Sequence, residues 1–452
     1  MRGTTASALV VLAAACAGGA VGHGPAPAAP TSVPAPGPAA QPAPIAAANV
    51  TGARGIVLPA LFTRHHVFLR ATIGGAPALL LFDSGASATI FSPRLVRRLG
   101  LAYRGRHLAF GIGEPVTGAS RYEGTEIGFG SLRIRPSTVL AWSDAGFPTY
   151  GQDVPDGVIG YDLLRSFVVV VDIHAERVVA YDSSAAPQAI RSDGQAIPLR
   201  VTSGLPVVQI DVFAGGHPTL SPAPLTSSLS VVVDFGAGAG VQLSRVASER
   251  LGFPARLRDA RMRQLVGIGG AVELPEGVTD SVRIAGAAIP RAIVAADTSA
   301  LSSVALADAD GFIGTEVLRR FIVTLDYPRG RAVFEPNTAL RAPFCRNTAG
   351  LCVRPQNALK AAEVFFVDPG SPGARAGIRP GNFILAVDGT SVALFSTVDV
   401  DRLLDRGPGA LLEVARSASQ LRSPPREVTS QRGLRRPVPQ ERVGELVRLP
   451  NP

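Results

Sequence analysis

Leu80-Leu81-Phe82-Asp83-Ser84-Gly85-Ala86-Ser87 decides the reading, because it returns later as Val231-Val232-Val233-Asp234-Phe235-Gly236-Ala237-Gly238. In each copy an apolar run with the character of a buried strand delivers a carboxylate, and a glycine turn follows at once. Two carboxylates from two related halves can meet at a pseudo-twofold axis. Held there, they share one proton and can activate water.

The repeat extends beyond the aspartates. Phe91-Ser92-Pro93-Arg94-Leu95-Val96-Arg97-Arg98-Leu99-Gly100 corresponds to Gln242-Leu243-Ser244-Arg245-Val246-Ala247-Ser248-Glu249-Arg250-Leu251-Gly252. Both stretches predict a serine-capped short helix stopped by glycine. Gly111-Ile112-Gly113 corresponds to Gly267-Ile268-Gly269. Asp156-Gly157-Val158-Ile159-Gly160 corresponds to Asp310-Gly311-Phe312-Ile313-Gly314. Each half closes with an apolar strand that ends in Asp172 or Asp326. The landmarks keep their order, which implies a tandem duplication.

Composition sets the class. The chain has 452 residues, enough for about three domains. Short Val/Ile/Leu runs alternate with Gly, Pro and Asp breaks, which predicts a mainly β protein. The net charge is +9, and eight Arg against three Glu lie in the tail from Arg416. No basic stripe is interleaved with aromatics, so nucleic acid is not an expected partner. The six His are scattered, and neither Cys345 nor Cys352 has a His at ligand spacing. No metal and no organic cofactor are therefore expected.

Residues 1–22 read as an export signal, with Arg2 ahead of an apolar run from Ala6 to Ala15. Ala13-Ala14-Ala15-Cys16 resembles a bacterial lipoprotein signal, which would lipidate Cys16 and anchor the chain to a membrane. Ordinary cleavage nearby is the other reading, giving a periplasmic or secreted protein. Residues 23–49 form a Pro/Ala-rich tether. In an oxidising compartment Cys345 and Cys352 are disulfide candidates, with two buried free thiols as the alternative.

Further units follow the duplicated halves at 50–192 and 193–340. Val364-Phe365-Phe366-Val367-Asp368-Pro369-Gly370-Ser371-Pro372-Gly373-Ala374-Arg375-Ala376-Gly377 continues through Ile378 to Asp388-Gly389. It reads as strand, short helix, glycine stop, strand and Asp-Gly hairpin. Residues 341–415 resemble a PDZ domain, an α+β fold. The resemblance implies that the backbone N–H groups of Gly350, Leu351, Cys352 and Val353 receive a peptide C-terminal carboxylate. The peptide would then add as a strand. Residues 416–452 read as a basic, disordered tail.

The duplicated halves resemble retroviral-type aspartic proteases fused in one chain, as in the pepsin-like enzymes. Asp83-Ser84-Gly85-Ala86 matches the family's Asp-Ser/Thr-Gly-Ala/Ser motif, and Val158-Ile159-Gly160 and Phe312-Ile313-Gly314 match its supporting segments. The resemblance implies two β lobes closed into a pseudo-symmetric acid-protease barrel, followed by the PDZ-like domain. It also implies an Asp83–Asp234 catalytic pair, loop support from Ser84, Gly85 and Gly236, and peptide or protein substrates. Both lobes lie in one chain, so a monomer is expected. Gly111, Ile112, Gly113, Gly267, Ile268 and Gly269 are candidates for hairpin flaps, with plain hairpin turns as the alternative.

One departure stands out. Phe235 occupies the place of the family's second Ser/Thr, whose hydroxyl bonds across the pair. Ser84 must then hold the interface alone, and a large ring must be housed beside the site. The alternative to an endopeptidase is therefore an exported peptide-binding protein on a protease-like scaffold. Asp156 and Asp310 read as turn or capping residues, and Trp142 as packing.

Overall fold

The computed structural model describes residues 8–10, 55–62, 66–110, 116–141, 155–184, 195–215, 223–267, 270–296, 308–345, 347, 349–356, 359–368, 370–393, 395, 400, 403–404, 409–421, 427–429, 435–437 and 444–450. The chain divides into two compact units, residues 1–342 and 343–452. The first is almost wholly β, and the second is α+β.

Within the first unit the two halves are built alike. Val67–Ile73 pairs antiparallel with the first aspartate strand, Ala76–Phe82. That strand runs parallel to Gly157–Ile159, which pairs antiparallel with Ile90–Phe91. In the second half Leu205–Ala214 pairs antiparallel with Leu225–Val233. The second aspartate strand runs parallel to Gly311–Ile313, which pairs antiparallel with Val241–Leu243. Each aspartate strand is thus flanked on both sides near its end. Leu80, Leu81 and Phe82, like Val231, Val232 and Val233, are buried accordingly. Continuous apolar runs are what doubly covered strands require. Each such side chain contributes about 1.5–3 kcal/mol by leaving water.

The capped helices form where their sequence places them. Pro93–Leu99 begins at Ser92, whose side chain accepts from the Leu95 N–H, and stops at left-handed Gly100. Arg245–Leu251 begins at Ser244, which accepts from the Ala247 N–H, and stops at left-handed Gly252.

A six-stranded sheet joins the halves. Its central pair is Phe167–Asp172 against Phe321–Asp326, antiparallel, with Val170 opposite Thr324. These are the corresponding closing strands of the duplication, so the pairing is what a pseudo-twofold axis produces. Asp172 accepts from the Ala175 N–H in a turn. Asp326 is instead fully buried and ion-paired with Arg329 and Arg331.

Two expectations for this unit change. In sequence, residues 221–228 read as a loop inserted before the second aspartate strand, but Leu225–Val233 is one continuous strand. Its polar Thr226, Ser228 and Ser230 alternate with better-buried neighbours at its later end, and a half-solvated strand needs no unbroken apolar run. A closed barrel is also not found among the described strands. Each sheet order has two ends, and closure needs a hydrogen-bonded ladder between the outermost strands.

In the second unit the strand order is Leu351–Gln356, Ala361–Val367, Phe383–Val387, Leu411–Ala415, Glu445–Arg448, with Thr390–Ser391 beside Phe383–Val387. Ser371 caps the short helix Pro372–Arg375. Asp388 and Gly389 both take positive φ at the hairpin, as an Asp-Gly turn does. Val353, Val364, Ile384, Leu404, Leu412 and Val414 share one core. The tail is not wholly disordered as expected. Glu445–Arg448 pairs with Leu411–Ala415, and Val447 and Leu449 enter the same core. Alternate apolar side chains suffice to seat an edge strand, even in an Arg-rich stretch.

Candidate active site

The supporting segments hold the aspartates at matching points. The Asp83 N–H donates to Ile159 O and the Asp234 N–H to Ile313 O, both at 2.9 Å. Behind them, Asp156 Oδ2 accepts from the Leu79 N–H at 3.1 Å, and Asp310 Oδ2 accepts from the Ser230 N–H at 2.9 Å. Asp156 also pairs with Arg94, and Asp310 with Arg250, each at 2.8–2.9 Å. These two aspartates pin strand starts.

Asp83 and Asp234 are both 0% exposed and face one another across the pseudo-twofold axis. The motif glycines make the approach. A Cβ on Gly85 would lie 2.7 Å from Asp234 Cγ, and one on Gly236 would lie 2.3 Å from Asp83 Cγ. No side chain fits at either place. Asp234 Oδ1 accepts from the Gly236 N–H at 2.8 Å and the Ala237 N–H at 3.2 Å. No hydrogen bond of ordinary geometry reaches Asp234 Oδ2 or either Asp83 carboxyl oxygen, although the Gly85 and Ala86 N–H groups lie close enough to pull Asp83 down against its burial. Two carboxylates cannot bond each other unless a proton lies between them, so the buried pair is built to retain one.

The electrostatics follow. Burial, and then the charge and hydrogen bond of Asp234, hold the Asp83 carboxyl well above the usual carboxylate range. Burial also pushes Asp234 up, to about 7, against the opposing pull of the Asp83, Gly236, Ala237 and Gly85 hydrogen bonds. Tyr327 lies within reach of the same charges. Its hydroxyl is buried without a partner, and burial, Tyr161, Asp83 and Asp234 all push its ionisation up. Nothing in the sequence singled out Tyr327. The available signal was its place one residue past Asp326, where the first half has Ile173.

Ser84 bridges the halves by itself. Its hydroxyl donates to Val233 O at 2.7 Å and accepts from the Phe235 N–H at 3.0 Å. Phe235 has no hydroxyl to return these bonds. Its ring is fully buried and lies 5.5 Å from that of Phe82 in the other half.

Of the flap candidates, Gly267 ends the strand Arg258–Gly267 and stands opposite Gly270, the start of the partner strand Gly270–Val278. The corresponding strands of the first half, Tyr103–Phe110 and Val116–Glu123, also pair antiparallel. Gly111, Ile112, Gly113, Ile268, Gly269, Trp142 and Cys16 lie outside the described residues. Among the described residues, no group of three or more His, Cys, Asp or Glu is placed to hold a metal ion.

In the second unit, Cys345 and Cys352 form a disulfide with Cα atoms 4.8 Å apart. Leu351, Cys352 and Val353 begin a strand that forms one end of the sheet order. The N–H groups of Gly350 and Leu351, assigned by resemblance to a peptide carboxylate, are already engaged. Gly350 donates to Asn347 O at 3.1 Å, and Leu351 donates to Asn347 Oδ1 at 3.2 Å.

Comparison with known proteins agrees with this geometry. Residues 69–163 match the aspartyl protease family and residues 367–416 match the PDZ domain family. The first match lies within the first unit and the second within the second unit. An aspartic proteinase from Irpex lacteus is 14% identical, with 64% of this chain and 99% of that one covered and a TM-score of 0.35. A retropepsin-like aspartic protease from Rickettsia conorii is 16% identical, with 28% and 89% covered and a TM-score of 0.22. Conglutin gamma, a basic 7S globulin from lupine seeds, is 14% identical, with 63% and 95% covered and a TM-score of 0.35. No curated protein sequence matches the chain.

Proposed function

We propose that this chain is an exported bacterial aspartic endopeptidase, acting as a monomer and carrying a PDZ domain for peptide termini. The observation that carries the reading is the closed approach of Asp83 and Asp234 through Gly85 and Gly236. Asp234, with Oδ1 anchored by two backbone N–H groups, is the base. Its Oδ2 takes a proton from water as the water oxygen attacks the scissile carbonyl carbon. Asp83 gives its proton to the carbonyl oxygen. Asp234 then returns its proton to the amide nitrogen while a hydroxyl of the tetrahedral intermediate gives one back to Asp83, so that the C–N bond breaks, the carboxylic acid forms and the pair regains its single proton. The export route, by lipid on Cys16 or by plain cleavage, is part of the proposal.

A pair of neighbouring carboxyls ordinarily carries its single proton in mild acid. Burial raises both carboxyls, Asp234 to about 7, so loss of the pair's first proton moves from mild acid towards neutrality. Cleavage should therefore rise through neutrality. The test is cleavage of a mixed peptide library by the full chain from about pH 3 to about pH 9, beside Asp83→Asn. Cleavage that vanishes in the variant supports the reading. A folded chain that cleaves nothing favours the second reading, a peptide-binding scaffold, to which the absence of a hydroxyl at Phe235 points.

A further inference from the structure

The start of the edge strand Leu351–Gln356 is occupied by the chain itself. Gly350 O accepts from the Asp368 N–H at 2.9 Å, so its carbonyl points towards the neighbouring strand Ala361–Val367. Polar backbone groups alternate sides along a strand, so those of Leu351 point to the open edge. Asn347 takes both. Its Oδ1 accepts from the Leu351 N–H at 3.2 Å, and its Nδ2 donates to Leu351 O at 2.7 Å. The side-chain amide thus makes the paired bonds that one residue of an added strand would make. Asn347 is 2% exposed, so this pairing is part of the packed structure.

Little of the edge remains for a ligand. By the same alternation, Val353 and Pro355 point outward after Leu351, and proline has no N–H. The Val353 amide is the donor left on that edge within this strand. The disulfide from Cys345 to Cys352 closes the segment that contains Asn347 onto the same strand.

We propose that Asn347 is a latch on the peptide-terminus site of the PDZ domain, held shut by the Cys345–Cys352 disulfide. This rests on the reading that the domain binds peptide termini. A C-terminal peptide must displace the Asn347 amide before its own backbone can pair with Leu351 and its carboxylate can reach the loop. Reduction by a dithiol opens the latch. The S–S bond takes two electrons and two protons from the dithiol to become two thiols, and the dithiol closes to a cyclic disulfide.

The test uses the full chain and a fluorescent pool of hexapeptides ending in Val, Leu, Ile or Ala, with free or amidated termini. Asn347→Ala should bind the free-carboxylate pool about tenfold more tightly than the wild type, the factor for 1.4 kcal/mol. Amidation should abolish the gain. Asn347→Asp keeps the acceptor for the Leu351 N–H but loses the donor to Leu351 O, and its negative charge repels the peptide carboxylate, so it should not reproduce the gain. The Cys345→Ser/Cys352→Ser double variant, and dithiothreitol on the wild type, should each reproduce the gain. Thermal unfolding confirms that each variant is folded. Equal binding by folded wild type and Asn347→Ala overturns the latch and leaves the peptide reading intact. No binding by any folded form, oxidised or reduced, overturns the peptide-terminus reading and the latch with it.

Discussion

Replacing Asp234 by Asn should abolish cleavage and at the same time stabilise the first unit above neutrality. Burial lifts the Asp234 carboxyl from its ordinary 3.8 to about 7. Between those values the folded chain holds a proton that the unfolded chain has lost. Stability is therefore fully present below 3.8 and falls as pH rises through about 7. Each pH unit of that window is worth about 1.4 kcal/mol, so ionised Asp234 costs the fold up to about 4 kcal/mol. Asn has no such ionisation. Asp234→Asn should match the wild type in acid and exceed it by about 1–4 kcal/mol at about pH 8, or roughly 2–4 °C per kcal/mol in Tm. Differential scanning calorimetry of the two proteins across pH is a suitable assay. Parallel pH profiles for the two proteins, or a less stable variant at about pH 8, would refute the claim that Asp234 is held protonated by burial.

Ser84→Ala should strip Val233 O and the Phe235 N–H of their shared partner; at about 1–3 kcal/mol for each buried orphan, Tm and cleavage both fall, while Ser84→Thr keeps both. Phe235→Thr should not improve the enzyme: removing most of a fully buried ring that packs on Phe82 costs about 3 kcal/mol or more, read as a lowered denaturation midpoint. Gly236→Ala puts a methyl 2.3 Å from Asp83 Cγ and should eliminate peptide cleavage, while the same change at Gly100, where nothing lies within 4 Å, leaves cleavage intact despite some backbone strain.

Much of the site was legible because it is made of local patterns used twice. Leu80–Phe82 and Val231–Val233 announce buried strands, Ser92 and Gly100 bound a helix, and the repeat supplies the pairing of Asp83 with Asp234 across 151 positions (83 to 234). What stayed hidden depends on long-range partners. Leu225–Val233 carries Thr226, Ser227 and Ser228 directly after its first residue, and its strand character comes from pairing with Leu205–Ala214. Glu445–Arg448 carries two apolar residues among charges, and only the core beneath Leu411–Ala415 gives Val447 a reason to be buried. Asn347 is an ordinary polar residue until its amide is seen against both polar groups of Leu351.

The departure at Phe235 has a structural compensation that the motif alone does not show. In a symmetric pair, each half would offer a hydroxyl to the backbone of the other. Here Ser84 makes both bonds from the first half. The second half answers with an aromatic ring packed on Phe82, the residue just before Asp83. A tilted ring pair adds about 0.5–1.5 kcal/mol beyond its burial, comparable to the net value of a hydrogen bond. The brace is therefore changed in kind, polar from one side and apolar from the other. That asymmetry extends to the carboxyls. Asp234 Oδ1 is fixed by the Gly236 and Ala237 N–H groups, whereas the Gly85 and Ala86 N–H groups lie near Asp83 without a bond of ordinary geometry. In the mechanism proposed above, the fixed Oδ1 suits Asp234 to the base and leaves Asp83 as the acid.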